Sequence, residues 1–183
     1  MPDTSRLFFA LWPDDETRQA LARLNQPLAA KRLRLVQPHN LHVTLVFLGQ
    51  VDAVTESVIK RAMTDISTQP FTLTFDRLSY WRRPRILCLT CQQPAPKPAM
   101  LLVSALETAA ANCGLRIDTR PYRPHITLAR HVRHLPDVTI EPIVWRAEAF
   151  SLIESCSEPE GIRYKVMQQW PFIKPVVNPD QRL

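Results

Sequence analysis

Two hydrophobic periods take turns along this chain. Leu7-Phe8-Phe9-Ala10-Leu11-Trp12 is an unbroken apolar run and predicts a buried first strand. Pro13-Asp14-Asp15-Glu16 has the proline and acids of a helix start, and Leu21, Leu24 and Leu28 continue that helix at three- and four-residue spacing. Pro38-His39-Asn40 reads as a turn, followed by a strand from Leu41 to Leu48 that Gly49 ends. Val54, Val58, Ile59 and Met63 predict a second helix from Asp52 to about Thr68. Phe71-Thr72-Leu73-Thr74-Phe75 alternates strictly, as a strand with one wet face does, and Arg85 to Cys91 is a further strand. After a Pro-rich connector, Gln93 to Pro98, a helix runs through Met100, Leu101, Val103, Leu106 and Ala110, with Gly114 as its cap. Pro121-Tyr122-Arg123-Pro124 leads into another strand. Ala147 to Glu154 and Ile162 to Trp170 read as a closing pair of strands around Gly161. The linkers are often too short for repeated parallel crossovers, so the pattern predicts α+β architecture with mainly antiparallel sheets. The length, 183 residues, suits one domain or two small lobes sharing a cleft.

Composition narrows the function classes. No apolar run approaches the roughly 20 residues of a membrane span. The N-terminal Met1 to Arg6 lacks the basic, apolar and small-residue segments of a secretory leader, so a cytoplasmic location is expected. Cys88 and Cys91 have C-x-x-C spacing inside an apolar strand-like run, where residues three apart face opposite sides. With no second C-x-x-C, structural thiols are expected rather than a zinc or redox site. The formal charge of +6 favours phosphorylated partners such as nucleic acid without identifying one. Only three glycines are present, and neither G-x-x-x-x-G-K nor G-x-G-x-x-G occurs. Nucleoside-triphosphate chemistry and dinucleotide cofactors are therefore disfavoured. Any phosphate must be held by side chains.

One motif occurs twice. His42-Val43-Thr44-Leu45 returns as His125-Ile126-Thr127-Leu128, about half the chain later. In a strand, residues i and i+2 share a face. Leu41, Val43, Leu45 and Phe47 then form an apolar back, with His42 and Thr44 on the opposite face. In the second copy Ile126 and Leu128 bury while His125 and Thr127 face out. A lone strand histidine is usually structural, and threonine is common in strands for its β-propensity. The repetition of the pair points instead to chemistry. Two imidazoles near neutral pKa divide acid and base work, and two hydroxyls hold the oxygens of one substrate group.

These motifs and their flanks resemble the two-histidine (2H) phosphoesterase superfamily, and within it the bacterial and archaeal RNA 2′,3′-cyclic phosphodiesterases of the 2′-5′ RNA ligase family. The resemblance spans essentially the whole chain. It is carried by Arg6-Leu7-Phe8-Phe9-Ala10, by Asn40 to Gly49 with its H-x-T-x core, and by Arg123-Pro124-His125-Ile126-Thr127-Leu128-Ala129-Arg130. It implies a bilobal α+β fold over residues 1–183, a single catalytic domain with two pseudo-twofold lobes and a central cleft. It also implies no metal and no cofactor. The implied reaction hydrolyses the 2′,3′-cyclic phosphate of RNA ends or nucleotides to a 2′-phosphomonoester with a free 3′-hydroxyl.

By resemblance His42 is the proton donor and His125 the proton acceptor, although the near-symmetric motifs leave that order open. Thr44, Thr127 and Arg130 are implied phosphate ligands. Strict alternation puts Arg130 opposite His125, so it needs a strand end or bulge to turn inward. Tyr122 and Arg123 are candidate RNA contacts, as is the run Arg82-Arg83-Pro84-Arg85, with a solvated basic edge as the alternative for each. Phe9, Phe47 and Trp81 are expected to pack in the core rather than stack on a base. His131 and His134 are expected in a loop rather than a metal site. A monomer without membrane association is expected. Two other functions share these features: a 2′-5′ RNA ligase acting on tRNA-half-like ends, and a non-catalytic RNA-binding module.

Overall fold

The computed structural model describes residues 4–118 and 120–173, so Met1 to Asp3 of the segment read as leaderless lie outside it. Every strand pairing in it is antiparallel. Chain order is β1 (Thr4–Leu11), α1 (Asp15–Ala29), β2 (Arg34–Leu35), β3 (Val43–Asp52), α2 (Ala53–Ala62), β4 (Phe71–Phe75), β5 (Arg77–Trp81), β6 (Ile86–Thr90), α3 (Lys97–Asn112), β7 (His125–Arg130), β8 (Ile143–Ala147), β9 (Ala149–Glu158) and β10 (Gly161–Pro171). The main sheet runs β10-β9-β1-β3-β7-β6-β5, with β2 also on β7, while β4 and β8 form a separate ribbon. The architecture is α+β, as the alternating periods predict.

The two motif strands are neighbours in the middle of this sheet. β3 and β7 meet at one residue pair, Val43 opposite Ile126. Strands cross between the halves on either side of that junction. The C-terminal β9 pairs with β1, and β2 from the first half pairs with β7.

Local chemistry explains the helix boundaries. Asp14 caps α1 by accepting from the Thr17 N–H at 2.7 Å, and Asp52 caps α2 by accepting from the Thr55 N–H at 2.8 Å. The second helix stops at Ala62, short of the Thr68 its periodicity predicts. The Thr64 hydroxyl bonds back to the Arg61 carbonyl, a 3₁₀ turn covers Met63–Asp65, and Ile66 is already extended. Gly49, expected to end the first motif strand, only bends it. With φ of 79° it stays paired with Leu7, and β3 continues to Asp52.

Sequence periodicity missed three strands. β2 is two residues long. β5 mixes Arg77, Ser79 and Tyr80 on a sheet edge. β8 is visible only through its pairing with β4.

One face of the main sheet holds the core. Leu21 and Leu28 of α1, Ile59 of α2 and Leu106 of α3 are buried with Val43, Leu45, Ile126 and Leu128. At roughly 25 cal/mol per Å² of apolar surface, each such side chain contributes about 1.5–3 kcal/mol. Phe8, Ala10 and Ile153 form a separate small cluster with Trp12 and Tyr164.

Candidate active site

The two H-x-T-L copies fold alike. Each has a β-bulge at the same motif residue, and β3 carries a second one beyond the motif, at Leu48. Beside β1 the register passes from Phe9 opposite Val46 to Ala10 opposite Thr44, leaving Leu45 as the extra residue. Beside β6 it passes from Leu87 opposite Ala129 to Cys88 opposite Thr127, leaving Leu128 extra. A bulge breaks the two-residue alternation. Leu45 and Val46 are both buried, as are Leu128 and Ala129, and the residue after each pair, Phe47 or Arg130, is exposed. Parity has flipped, which returns Phe47 and Arg130 to the side of the histidines and threonines.

This corrects one expectation and gives another its geometry. Phe47 does not belong to the apolar back: it is 55% exposed and lines the cleft. Arg130 has the bulge that strict alternation demanded, and its charge reaches both His42 and the Cys88 thiol. Trp81 is not core either. It stands in the cleft with its ring 4.4 Å from that of His125. Phe9 is fully buried, as expected.

Both imidazoles are oriented by the same bond. His42 Nδ1 lies 2.7 Å from the Asn40 carbonyl, and His125 Nδ1 lies 2.8 Å from the Arg123 carbonyl. A carbonyl only accepts, so each Nδ1 carries the proton and donates it. Each Nε2 is then free to take a proton, or to give one when the ring is charged. His42 Nε2 lies 3.1 Å from the Thr44 hydroxyl, which donates to it in the neutral ring.

The surroundings of the two rings differ. His42 is boxed by Phe8 at 5.0 Å, Tyr164 edge-on at 4.9 Å and Trp12 nearly parallel at 5.9 Å. Burial is the main reason its pKa drops to about 4, and the charges of His125 and Arg130 push the same way against the Asn40 bond. Burial also lowers the His125 pKa, opposed by the bond to Arg123. Both rings are therefore mainly neutral at pH 7.

Asn40 holds the first ring in place. Its buried carboxamide donates to the Ile162 carbonyl at 2.7 Å and accepts from the Tyr164 N–H at 3.1 Å. It thus acts as a strand neighbour for β10 while its own carbonyl aims His42. Cys88 pairs across the ladder with Thr127. Burial raises its thiol to about 12, with the Thr127 hydrogen bond and Arg130 opposing, so it stays protonated at neutral pH and is a poor nucleophile.

A cleft of about 470 Å³ opens beside these strands, lined by Thr44, Phe47, Trp81, Tyr122, Arg123 and His125. Arg123 is exposed at its edge. The Tyr122 hydroxyl is buried and faces Cys91, so only its ring is offered to the cleft. His131 and His134 sit in the loop after β7, and among the described residues no three His, Cys, Asp or Glu side chains converge as metal ligands do.

Alternation within the first apolar run already set Phe8 opposite Phe9, and Asn40 stood two residues before His42. Both signals were available in the sequence. Tyr164, more than 100 residues away, left none.

Comparison with known proteins agrees with this geometry. The LigT like Phosphoesterase family matches the chain twice, at residues 11–88 and 89–164, one motif in each. The RNA 2′,3′-cyclic phosphodiesterase of Escherichia coli (strain K12) is 33% identical over 175 residues, covering 93% of this chain and 98% of that protein. The protein of the same name from Thermus thermophilus is 28% identical, covering 90% and 89%. The crystal structure of E. coli LigT complexed with 3′-AMP superposes with a TM-score of 0.82 at 32% identity, covering 94% of this chain and all of the other. The chain belongs to the LigT-like phosphoesterase family.

Proposed function

We propose that this protein hydrolyses the 2′,3′-cyclic phosphate of RNA ends or nucleotides, leaving a 2′-phosphomonoester and a free 3′-hydroxyl. The observation that carries the reading is the pair of His/Thr faces, alike in bulge, burial and Nδ1 bond, on adjacent strands joined at Val43 and Ile126. Two histidines with free Nε2 atoms suit a displacement at phosphorus that needs a base on one side and an acid on the other. His125 Nε2 takes the proton of the attacking water as its oxygen bonds to phosphorus. The bond from phosphorus to O3′ breaks, and His42 gives its proton to O3′.

With its pKa at about 4 His42 is neutral at pH 7, so this role requires the negative charge of the substrate phosphate to raise its affinity for a proton. Thr44, Thr127 and Arg130 hold the non-bridging oxygens as charge builds. Phe47 and Trp81 offer ring faces to the base, and Arg123 and the Tyr122 ring lie within the same cleft. The scheme uses no metal ion and no cofactor.

Residues 1–183 act as one catalytic domain of two lobes, as a monomer in the cytoplasm. The reducing cytoplasm suits four free cysteines. Among the described residues no helix is long and apolar enough to cross a membrane.

³¹P NMR of adenosine 2′,3′-cyclic phosphate incubated with the protein in EDTA tests the reading. The 2′-phosphate is the expected sole product. A 3′-phosphate, no turnover, or loss of activity on chelation contradicts it. With tRNA halves ending in a cyclic phosphate, hydrolysed ends are expected over joined ones, since water is the abundant nucleophile. Predominant joining would assign ligase chemistry, and tight binding without turnover a binding module.

A further inference from the structure

A second hollow lies at the far end of β7, outside the catalytic pair. Lys31, Arg32, Arg34, Arg130, His131 and Arg133 line it, with Asp137 as the one acid on its wall. Among the described residues none of these cations is in an ion pair; the three salt bridges there lie elsewhere. β2 and β7 set Arg34 directly opposite Arg130, and like charges facing across a ladder repel. A protein tolerates such a pair where an anion sits between the guanidinium groups.

Backbone conformation marks the same place. Among the described residues three non-glycine residues have positive φ: Arg32 at 53°, Arg85 at 54° and His131 at 57°. All three carry basic side chains and gather around the end of β7. Arg32 and His131 line the hollow, and the Arg85 carbonyl accepts the Val132 N–H at 2.8 Å. Glycine and asparagine are the usual occupants of that conformation, and strained exceptions concentrate at binding sites.

Arg130 belongs to both places. It lines the hollow, and its charge is felt by His42. Arg130 therefore lies between the histidine pair and the cations of the hollow, Lys31 and Arg133 among them. A cyclic phosphate terminates an RNA chain at its 3′ end, so the rest of the molecule leaves in the 5′ direction. We propose that the hollow is a second phosphate subsite, holding backbone phosphodiesters of RNA on the 5′ side of the nucleotide whose cyclic phosphate lies between His42 and His125. The inference rests on the proposed cyclic phosphodiesterase reading. Arginines suit this occupant, because a guanidinium fork bonds two phosphate oxygens at once. The subsite makes the protein favour oligonucleotide ends over free cyclic mononucleotides, both of which it turns over.

The test compares a pentaribonucleotide ending in a 2′,3′-cyclic phosphate with adenosine 2′,3′-cyclic phosphate. The variants are Lys31→Gln/Arg133→Gln, both exposed positions, and Arg34→Gln. The expected result is a loss of roughly tenfold or more in kcat/KM for the pentanucleotide, as charged hydrogen bonds disappear, with the mononucleotide within twofold of wild type. Equal losses on both substrates, or none on either, overturn the proposal.

A second arm needs no turnover. Fluorescence anisotropy with a pentanucleotide bearing a terminal 2′-phosphate should show a salt dependence shallower by roughly 0.7 in log K per log salt for each contact removed. An unchanged slope overturns the subsite. Failure of the wild type to turn over the mononucleotide would instead sink the cyclic phosphodiesterase reading, and this binding arm would still decide the subsite. An oligoglutamate of equal charge displacing the RNA with equal potency would give the hollow to an acidic protein partner.

Discussion

The His42 half of the site and the His125 half share a motif, a bulge, a burial pattern and the bond that fixes Nδ1, yet they are not interchangeable. His42 sits in a box of Phe8, Trp12 and Tyr164 with its pKa at about 4, whereas among the described residues one aromatic ring, Trp81, packs on His125. Three residues after each threonine the halves diverge most: an aromatic ring, Phe47, in one and a cation, Arg130, in the other. The same scaffold therefore presents an exposed aromatic ring from one half and an exposed cation from the other. On the proposed function, the repeated strand sets where the reacting atoms go. The residues around it set what each copy does there.

The largest expected effects come from what the halves share. His42→Ala and His125→Ala should each lower turnover of a cyclic phosphate by roughly 10²–10⁴. The double variant should be little worse than the worse single one, because paired acid and base act as a unit. Multiplicative losses in steady-state kinetics would mean that the rings work independently.

The position where the halves diverge comes next. Arg130→Gln should reduce kcat/KM by about 10- to 100-fold, the worth of a charged hydrogen bond, and mostly through kcat if Arg130 acts on developing charge. Phe47→Ala should raise KM for nucleotides, with a stacking loss of about 1–3 kcal/mol per base, and leave kcat near wild type. Reversed behaviour of the two would undo the division between platform and charge.

Two residues before each histidine the comparison sharpens again. Only the carbonyl is used at Arg123, while the Asn40 side chain is also bound to β10. Asn40→Ala should cost about 1–3 kcal/mol of stability by removing the two hydrogen bonds that tie this buried side chain to β10, against within about 0.5 kcal/mol for the exposed Arg123→Ala. Chemical denaturation measures both.

The smallest effect is on pH dependence. The folded pKa of His42, about 4, lies below its ordinary value of 6.5. The unfolded chain therefore takes up a proton first as pH falls. His42 thus favours the folded state fully above pH 6.5, and that contribution is lost as pH drops from there toward 4. His42→Gln should flatten the fall in thermal midpoint across that window relative to wild type. Titrating the His42 ring by NMR should also show its pKa rising when 2′-AMP binds. A ring that stays near 4 in the complex rules it out as the proton donor.

The shared face of His42 with Thr44, and of His125 with Thr127, is legible in the sequence because strand alternation is a local property and the motif occurs twice. Strict alternation puts Phe47 on the wrong face because a bulge needs a partner strand, and no local signal reveals where the register with β1 slips by one residue. Arg130 carried the same ambiguity in reverse: the need for a bulge was visible, its position was not. The basic edge strand β5 and the two-residue β2 were invisible for a related reason, since their structure comes from pairing rather than from periodicity. Trp81 was read as core because large aromatics usually are, and only the fold sets it against His125.

A crystal structure of the protein with 2′-AMP bound tests most directly whether two halves work on one phosphate. Phosphorus should lie between the Nε2 atoms of His42 and His125, with Thr44, Thr127 and Arg130 on its oxygens and the base beside Phe47 or Trp81. A phosphate held by one histidine alone, or one seated away from both, would contradict the account.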